Sequence, residues 1–134
     1  MFLQIDHHSG EPIYRQVIEQ IRRQIMAGQL HEGEQLVSVR DLAARLKVNP
    51  MTISKAYSLL EMEGLLERRR GVGLFVASIG PDRKSRTKTQ LLEQVLGRAV
   101  ATAVQLDIPE DDVCTLTRRL FQRYDSRIRR DSHE

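Results

Sequence analysis

Residues Ser38–Val76 read SVRDLAARLKVNPMTISKAYSLLEMEGLLERRRGVGLFV, and this stretch decides the fold. It predicts two short helices, a tight turn between them, and a β-hairpin. Ser38 with Asp41 three residues on has the spacing of a capping box. Val39, Leu42, Ala43 and Leu46 then recur at helical period. Lys47 falls in the last turn, where a cation suits the helix dipole. Asn49 as N-cap and Pro50 as first residue open the second helix. Ile53, Ala56, Tyr57 and Leu60 form its apolar stripe, and Gly64 stops it.

The opposite face of the second helix carries Met51, Thr52, Ser54, Lys55 and Ser58, with no carboxylate before Glu61. A solvated helix face mixes Glu with Lys. A helix that enters a DNA groove avoids negative charge and offers its N-terminal residues to base edges. A plain solvated polar face is the alternative for this helix taken alone. The neighbouring hairpin weighs against it. Leu65, Leu66 and Glu67 begin one strand, and Leu74, Phe75, Val76 and Ala77 make the returning one. Between them lies Arg68-Arg69-Arg70-Gly71-Val72-Gly73, in which three cations lead into a tip whose glycines permit a sharp turn and close approach to a phosphate. Helix, turn, helix and basic hairpin is the layout of a winged helix-turn-helix.

Four blocks at matched spacing resemble the DNA-binding domain of the GntR family of bacterial transcription regulators. They are Ser38-Val39-Arg40-Asp41-Leu42-Ala43, Asn49 through Tyr57, Leu60-Glu61-Met62-Glu63-Gly64-Leu65, and Gly71 through Val76. With the preceding helix the resemblance covers residues 1 to about 79. The opening Ile5-Asp6 and Pro12-Ile13-Tyr14-Arg15-Gln16 are similar to the YtrA-like subgroup. The resemblance implies that Arg40 and the wing glycine Gly71 occupy DNA-contacting positions. Some relatives place arginines where this chain has Pro50 and Ser54, so their operator does not carry over. Specificity here is expected to rest on smaller groups, on Met51 against a thymine methyl, and on DNA shape.

The chain has 134 residues, room for one compact domain or a small domain with an appendage. A net charge of +3 and a sequence pI near 9.3 fit a nucleic-acid partner without requiring one. No apolar run reaches membrane-spanning length, the N-terminus lacks signal-peptide character, and Cys114 is the single cysteine. A cytoplasmic location is the expectation. Leu3 and Ile5 alternate with polar residues and predict a short strand. Pro12 introduces a core helix whose stripe is Ile13, Val17, Ile18, Ile21 and Ile25, ended by Gly28. His7 and His8 beside Asp6 point to opposite faces of a strand, and His31 and His133 add no ligand spacing, so no metal is expected. Cys114, on a predicted helix with no histidine nearby in sequence, reads as a small core residue.

Gly80–Arg86 is polar and basic and reads as a linker. Beyond it Leu92, Val95, Leu96, Ala99, Val100 and Ala103 repeat at helical period, widened by Leu91, Val104 and Leu106. Asp107-Ile108-Pro109 interrupts the pattern. A second helix follows, with Glu110, Asp111 and Asp112 at its start, Val113, Leu116, Leu120 and Tyr124 as its stripe with Phe121 beside them, and Arg127, Arg129 and Arg130 near its end. The last few residues are expected to fray. Two such helices cannot close a core alone. Either they fold back on the winged domain or they meet a second copy, and the YtrA-like resemblance implies a dimerising tail. Roughly fifty residues cannot hold the large effector or aminotransferase-like domains of other branches. A small-molecule effector, where one exists, would have to bind at the dimer interface or between domains.

The sequence therefore predicts a mainly α protein with a small β-hairpin. Residues 1–79 form a winged helix-turn-helix domain, 80–86 a linker, and 87–130 a two-helix dimerisation and effector region. The expected function is a homodimeric transcription regulator, a repressor, on an inverted-repeat double-stranded operator. Ser38, Arg40, Asn49, Met51, Thr52, Ser54, Lys55, Arg70 and Gly71 are the expected DNA-binding set, with Arg40 and Lys55 foremost for phosphate or base contacts. Leu92, Val95, Leu96, Ala99, Val100, Val113, Leu116 and Leu120 are the expected dimer seam. The alternative is a winged helix that binds an acidic protein through its basic wing. No nucleophile, base and orienting group come together, so neither enzyme activity nor a cofactor is expected.

Overall fold

The computed structural model describes the backbone of residues 1–132 and the side chains of residues 1–125. His133, the side chains of Arg127, Arg129 and Arg130, and the chain end expected to fray lie outside the described residues. The chain divides into two compact units, Met1–Thr89 and a second that begins at Gln90.

In the first unit, α1 (Ile13–Met26), α2 (Val39–Leu46) and α3 (Pro50–Met62) precede a hairpin of β1 (Leu66–Arg69) and β2 (Gly73–Val76). The three helices form because each carries an apolar stripe at helical period, and burial of those stripes makes the core. Val17, Ile18, Ile21 and Ile25 come from α1, Leu42 and Ala43 from α2, and Ile53, Ala56, Tyr57 and Leu60 from α3. α3 lies against α1, α2 and β1. The Tyr57 hydroxyl donates to the Val37 carbonyl at 2.7 Å and so fixes the segment that leads into α2. Burial pushes the Tyr57 phenol well above its ordinary pKa, against a smaller opposing effect of Arg45, so it remains a neutral donor.

One device ends every helix whose C-terminus is described by its hydrogen bonds. A left-handed residue follows the last turn, and the next N–H returns to a carbonyl five residues back. The left-handed residues are Gly28, Lys47, Gly64 and Asp107. The returning bonds are Gln29 to Gln24 (2.9 Å), Val48 to Ala43 (3.0 Å), Leu65 to Leu60 (3.0 Å) and Ile108 to Ala103 (2.9 Å). Lys47 is therefore the closing residue of α2, just beyond the last turn in which it was expected.

The strand expected at Leu3 and Ile5 does not form. The backbone of residues 2–6 pairs instead with a row of glutamine side chains on α1. Gln16 Oε1 accepts from Asp6 N–H (2.9 Å) and its Nε2 donates to Asp6 O (3.0 Å). Gln20 makes the same pair of bonds with Gln4, at 2.9 and 2.6 Å, and Gln24 Nε2 donates to Phe2 O at 2.6 Å. Spacing by four places the three amides on one helix face.

The hairpin is antiparallel with Leu66 opposite Val76 and Arg69 opposite Gly73. Arg68 and Arg69, expected to lie between the strands and lead into the tip, belong to β1, which leaves Arg70, Gly71 and Val72 to make the turn. The other edge of β2 is covered by residues 33–36, where Leu36 N–H donates to Leu74 O (2.8 Å) and Val76 N–H to Glu34 O (2.9 Å).

Residues 81–86, expected as linker, are the first turns of α4 (Pro81–Gln105). Pro81 is preorganised as a first helical residue, Asp82 suits the N-terminal dipole, and the Gly80 carbonyl already accepts from Lys84 N–H at 2.9 Å. Arg83 in this turn donates to the Glu63 carbonyl and lies over Gly64.

The second unit consists of the rest of α4 and α5 (Glu110–Ser132), joined at Leu106–Pro109. Among the described residues the two helices make few close approaches to each other. Their apolar stripes line an open groove of about 540 Å³ that includes Leu96, Ala99, Ala103, Val113, Leu116 and Leu120. Cys114, expected in a core, is exposed. It is one residue on from Val113, so about 100° of helical rotation carries it off the groove-facing stripe.

Gly64 has φ +80°, and a Cβ there would sit 2.9 Å from the Arg83 guanidinium. Gly64→Ala is expected to destabilise the protein by about 1–2 kcal/mol through left-handed backbone strain. In urea unfolding the midpoint should fall with the slope unchanged.

Candidate nucleic-acid interface

Two of the expected contact residues first serve as caps. Asn49 Oδ1 accepts from Met51 N–H at 2.9 Å, and Ser38 Oγ accepts from Asp41 N–H at 3.1 Å. These bonds start α3 and α2 at defined residues. With Ile53, Ala56, Tyr57 and Leu60 buried, Met51, Ser54, Lys55 and Ser58 are exposed and Thr52 is half-buried. Met51 is 78 % exposed. Arg40, in the first turn of α2, is exposed as well.

Lys55 is the one cation on this face, and it is not loose. Its Nζ lies 4.0 Å from the centre of the Tyr14 ring, which α1 supplies. Arg15, also on α1, approaches the same ring at 6.0 Å. No sequence signal joins positions 14 and 55; only the packing of α1 on α3 brings them together.

The three wing arginines, equivalent in the sequence, are distinct in the fold. Arg68 makes a two-toothed ion pair with Glu61, at 3.2 and 3.3 Å. This pair also neutralises the first carboxylate of α3. The Arg69 guanidinium carbon lies over the Phe75 ring, 4.0 Å from its centre. Arg70 makes neither contact and stands at the tip. Beside it Gly71 takes φ +78°, a conformation that disfavours any side chain. Gln35, not singled out by the sequence, steadies the tip: its Nε2 donates to the Val72 carbonyl at 3.1 Å. Gly73 leaves room for it, since a Cβ there would meet Gln35 Nε2 at 3.0 Å.

The surface thus offers short hydroxyls, one thioether and separated cations, the chemistry of phosphate and base-edge contact. Among the described residues no group of His, Cys, Asp or Glu could hold a metal ion. The Asp6 carboxylate next to His7 and His8 accepts from His8 N–H at 2.9 Å in a local turn. No helix among the described residues is long and apolar enough to cross a membrane.

Comparison with known proteins places a family on this geometry. The gntR family of bacterial regulatory proteins matches residues 13–76. The chain is 36 % identical over 101 residues to the HTH-type transcriptional repressor YtrA of Bacillus subtilis, covering 75 % of this chain and 78 % of that one. A GntR family transcriptional regulator from Listeria monocytogenes superposes with a TM-score of 0.75 at 28 % identity, covering 86 % of this chain and 98 % of that one. AraR(DBD) in complex with operator ORX1 superposes with a TM-score of 0.52 at 29 % identity, covering 57 % of this chain and 99 % of that one.

The wing geometry separates two arginines that the sequence does not. Arg70→Ala is expected to weaken binding to all DNA duplexes alike and to lower the slope of log affinity against log salt by roughly one unit. Arg68→Ala, which releases Glu61, is expected to change that slope by less. Titrations over a salt series read both, and an Arg68 effect as large as that of Arg70 would contradict the assignment.

Proposed function

Since the chain belongs to the gntR family of bacterial regulatory proteins, and is a DNA-binding transcription regulator of the YtrA-like kind, we propose that it works as a homodimeric repressor on an inverted-repeat operator. In this reading the N-terminal half of α3 enters the major groove. Met51, Thr52 and Ser54 meet base edges there, and Ser38, Arg40, Asn49 and Lys55 meet phosphates and the groove margin. Arg70 and Gly71 of the wing reach the adjoining backbone or minor groove. The repressor assignment follows the name of the YtrA relative. A chromosomal target implies work in the cytoplasm.

The observation that carries the dimer is the uncovered apolar face of the second unit. Leu92, Val95, Leu96, Val100, Leu116 and Leu120 are all exposed, with Leu92 at 62 % and Phe121 at 69 %. A contiguous apolar surface of this kind marks an interaction site. The polar atoms along it favour a dry seam, because the Thr102 and Thr117 hydroxyls donate to the Arg98 and Val113 carbonyls of their own helices, at 2.9 and 2.8 Å. A two-fold axis makes such a patch self-complementary and pairs two recognition helices on one duplex. One winged helix covers only a few base pairs, so pairing raises affinity through effective concentration, by about 10²-fold or more. A small-molecule effector would then find its walls where the groove meets the second copy. The domain division that goes with this reading is a DNA-binding part to residue 79 and a dimerising part from 87 to 130, joined through the first turns of α4.

Val95→Asp places a charge in the proposed seam. The variant is expected to keep the fold of the first unit, to sediment as a monomer, and to retain only weak, salt-sensitive DNA binding. Sedimentation of both chains with parallel DNA titrations is the test. A monomeric wild-type chain, or a variant that still dimerises, would overturn the assignment of the tail.

A further inference from the structure

Lys55 is held from α1, and that contact bears on how the interface works. We infer that Tyr14 is a positioning residue for DNA binding, acting through Lys55. A lysine is a flexible point charge that loses much rotamer freedom when fixed on a phosphate. Here the ammonium already rests 4.0 Å from the ring centre of Tyr14. Tyr14 is half-buried on α1 and Lys55 is exposed on α3, so the ring is the better fixed of the two. The attraction of a cation for an aromatic face leaves the outer side of the ammonium open to an anion. Preorganisation of this kind raises affinity by lowering the ordering cost at binding, with no added contact to the duplex. The ring also ties the direction of the cation to α1, a core helix that itself offers no residue to the expected contact set. Arg15, at 6.0 Å from the same ring, adds positive charge to the neighbourhood.

The inference rests on the reading of Lys55 as a phosphate contact, and the experiment separates the two. The full chain is titrated with a short mixed-sequence DNA duplex over a salt series, as wild type, Lys55→Ala, Tyr14→Phe, Tyr14→Leu and the Tyr14→Leu/Lys55→Ala double variant. Thermal melts of each exclude loss of fold. Lys55→Ala is expected to lower the salt slope by roughly one unit. Tyr14→Phe keeps the aromatic face and should stay within about twofold of wild type, whereas Tyr14→Leu should weaken binding by about three- to tenfold. In the Lys55→Ala background Tyr14→Leu should have no further effect, because the cycle isolates the coupling of the pair. An undiminished effect of Tyr14→Leu in that background would overturn the positioning role while leaving Lys55 as a contact. Loss with Tyr14→Phe equal to that with Tyr14→Leu would assign the effect to the hydroxyl and also overturn it. Unchanged affinity and slope for Lys55→Ala would remove both the contact and the inference, and leave the roles of Arg40 and Arg70 intact.

Discussion

Burial of one stripe of α3 dictates everything that its other side presents. Ile53, Ala56, Tyr57 and Leu60 are almost wholly withdrawn from solvent beneath α1 and α2. A helix has no freedom to rotate once four positions at spacing three and four are locked in a close-packed core. The outward direction of Met51, Thr52, Ser54 and Lys55 follows from that packing and needs no separate contact. The caps add a second constraint along the axis, because Asn49 fixes where the helix begins. Direction around the axis and position along it together place the outward face, and the side chains on that face remain free to differ without cost to the core.

The parts legible in the sequence are those governed by local rules. Caps at Ser38 and Asn49, proline at position 50 and stripes at helical period all act within a few residues, and α2 and α3 start where those signals put them. Gly28 and Gly64 announced the ends of α1 and α3. Lys47 and Asp107 close their helices in the same left-handed conformation, but as non-glycine residues they carry no such signal. The start of α4 was hidden by composition. A run of Arg, Lys and Ser resembles a solvated connection, although Pro81 and Asp82 favour a helix start. The alternation at Leu3 and Ile5 suggested a strand, but what this backbone pairs with, a row of glutamine amides, is a tertiary matter.

Of the candidate site, the sequence yielded the list and the fold yielded the ranking. Three consecutive arginines became an ion-paired one, a ring-stacked one and one at the tip. Those distinctions depend on Phe75, which the pairing of the two strands brings to Arg69, and on Glu61, which the packing of α3 beside β1 brings to Arg68. Tyr14 and Gln35 lie far from their partners in sequence and could not be found by spacing at all. The tail is the opposite case. Its stripes were plain, and the fold adds that they remain exposed in a single chain. The unpaired polar groups that would make such a surface costly to cover are absent from Thr102 and Thr117.

The glutamine row on α1 has a consequence of a different kind. Gln16, Gln20 and Gln24 hold the backbone of residues 2–6 with neutral amides alone. Amides do not titrate and are little affected by ionic strength, whereas the cation-bearing face weakens steeply as salt rises. The attachment of the N-terminal segment is therefore decoupled from the conditions that govern occupancy of the duplex. A rise in salt that clears the DNA would leave this seam shut, and the shape that returns to the duplex afterwards is the same one that left it.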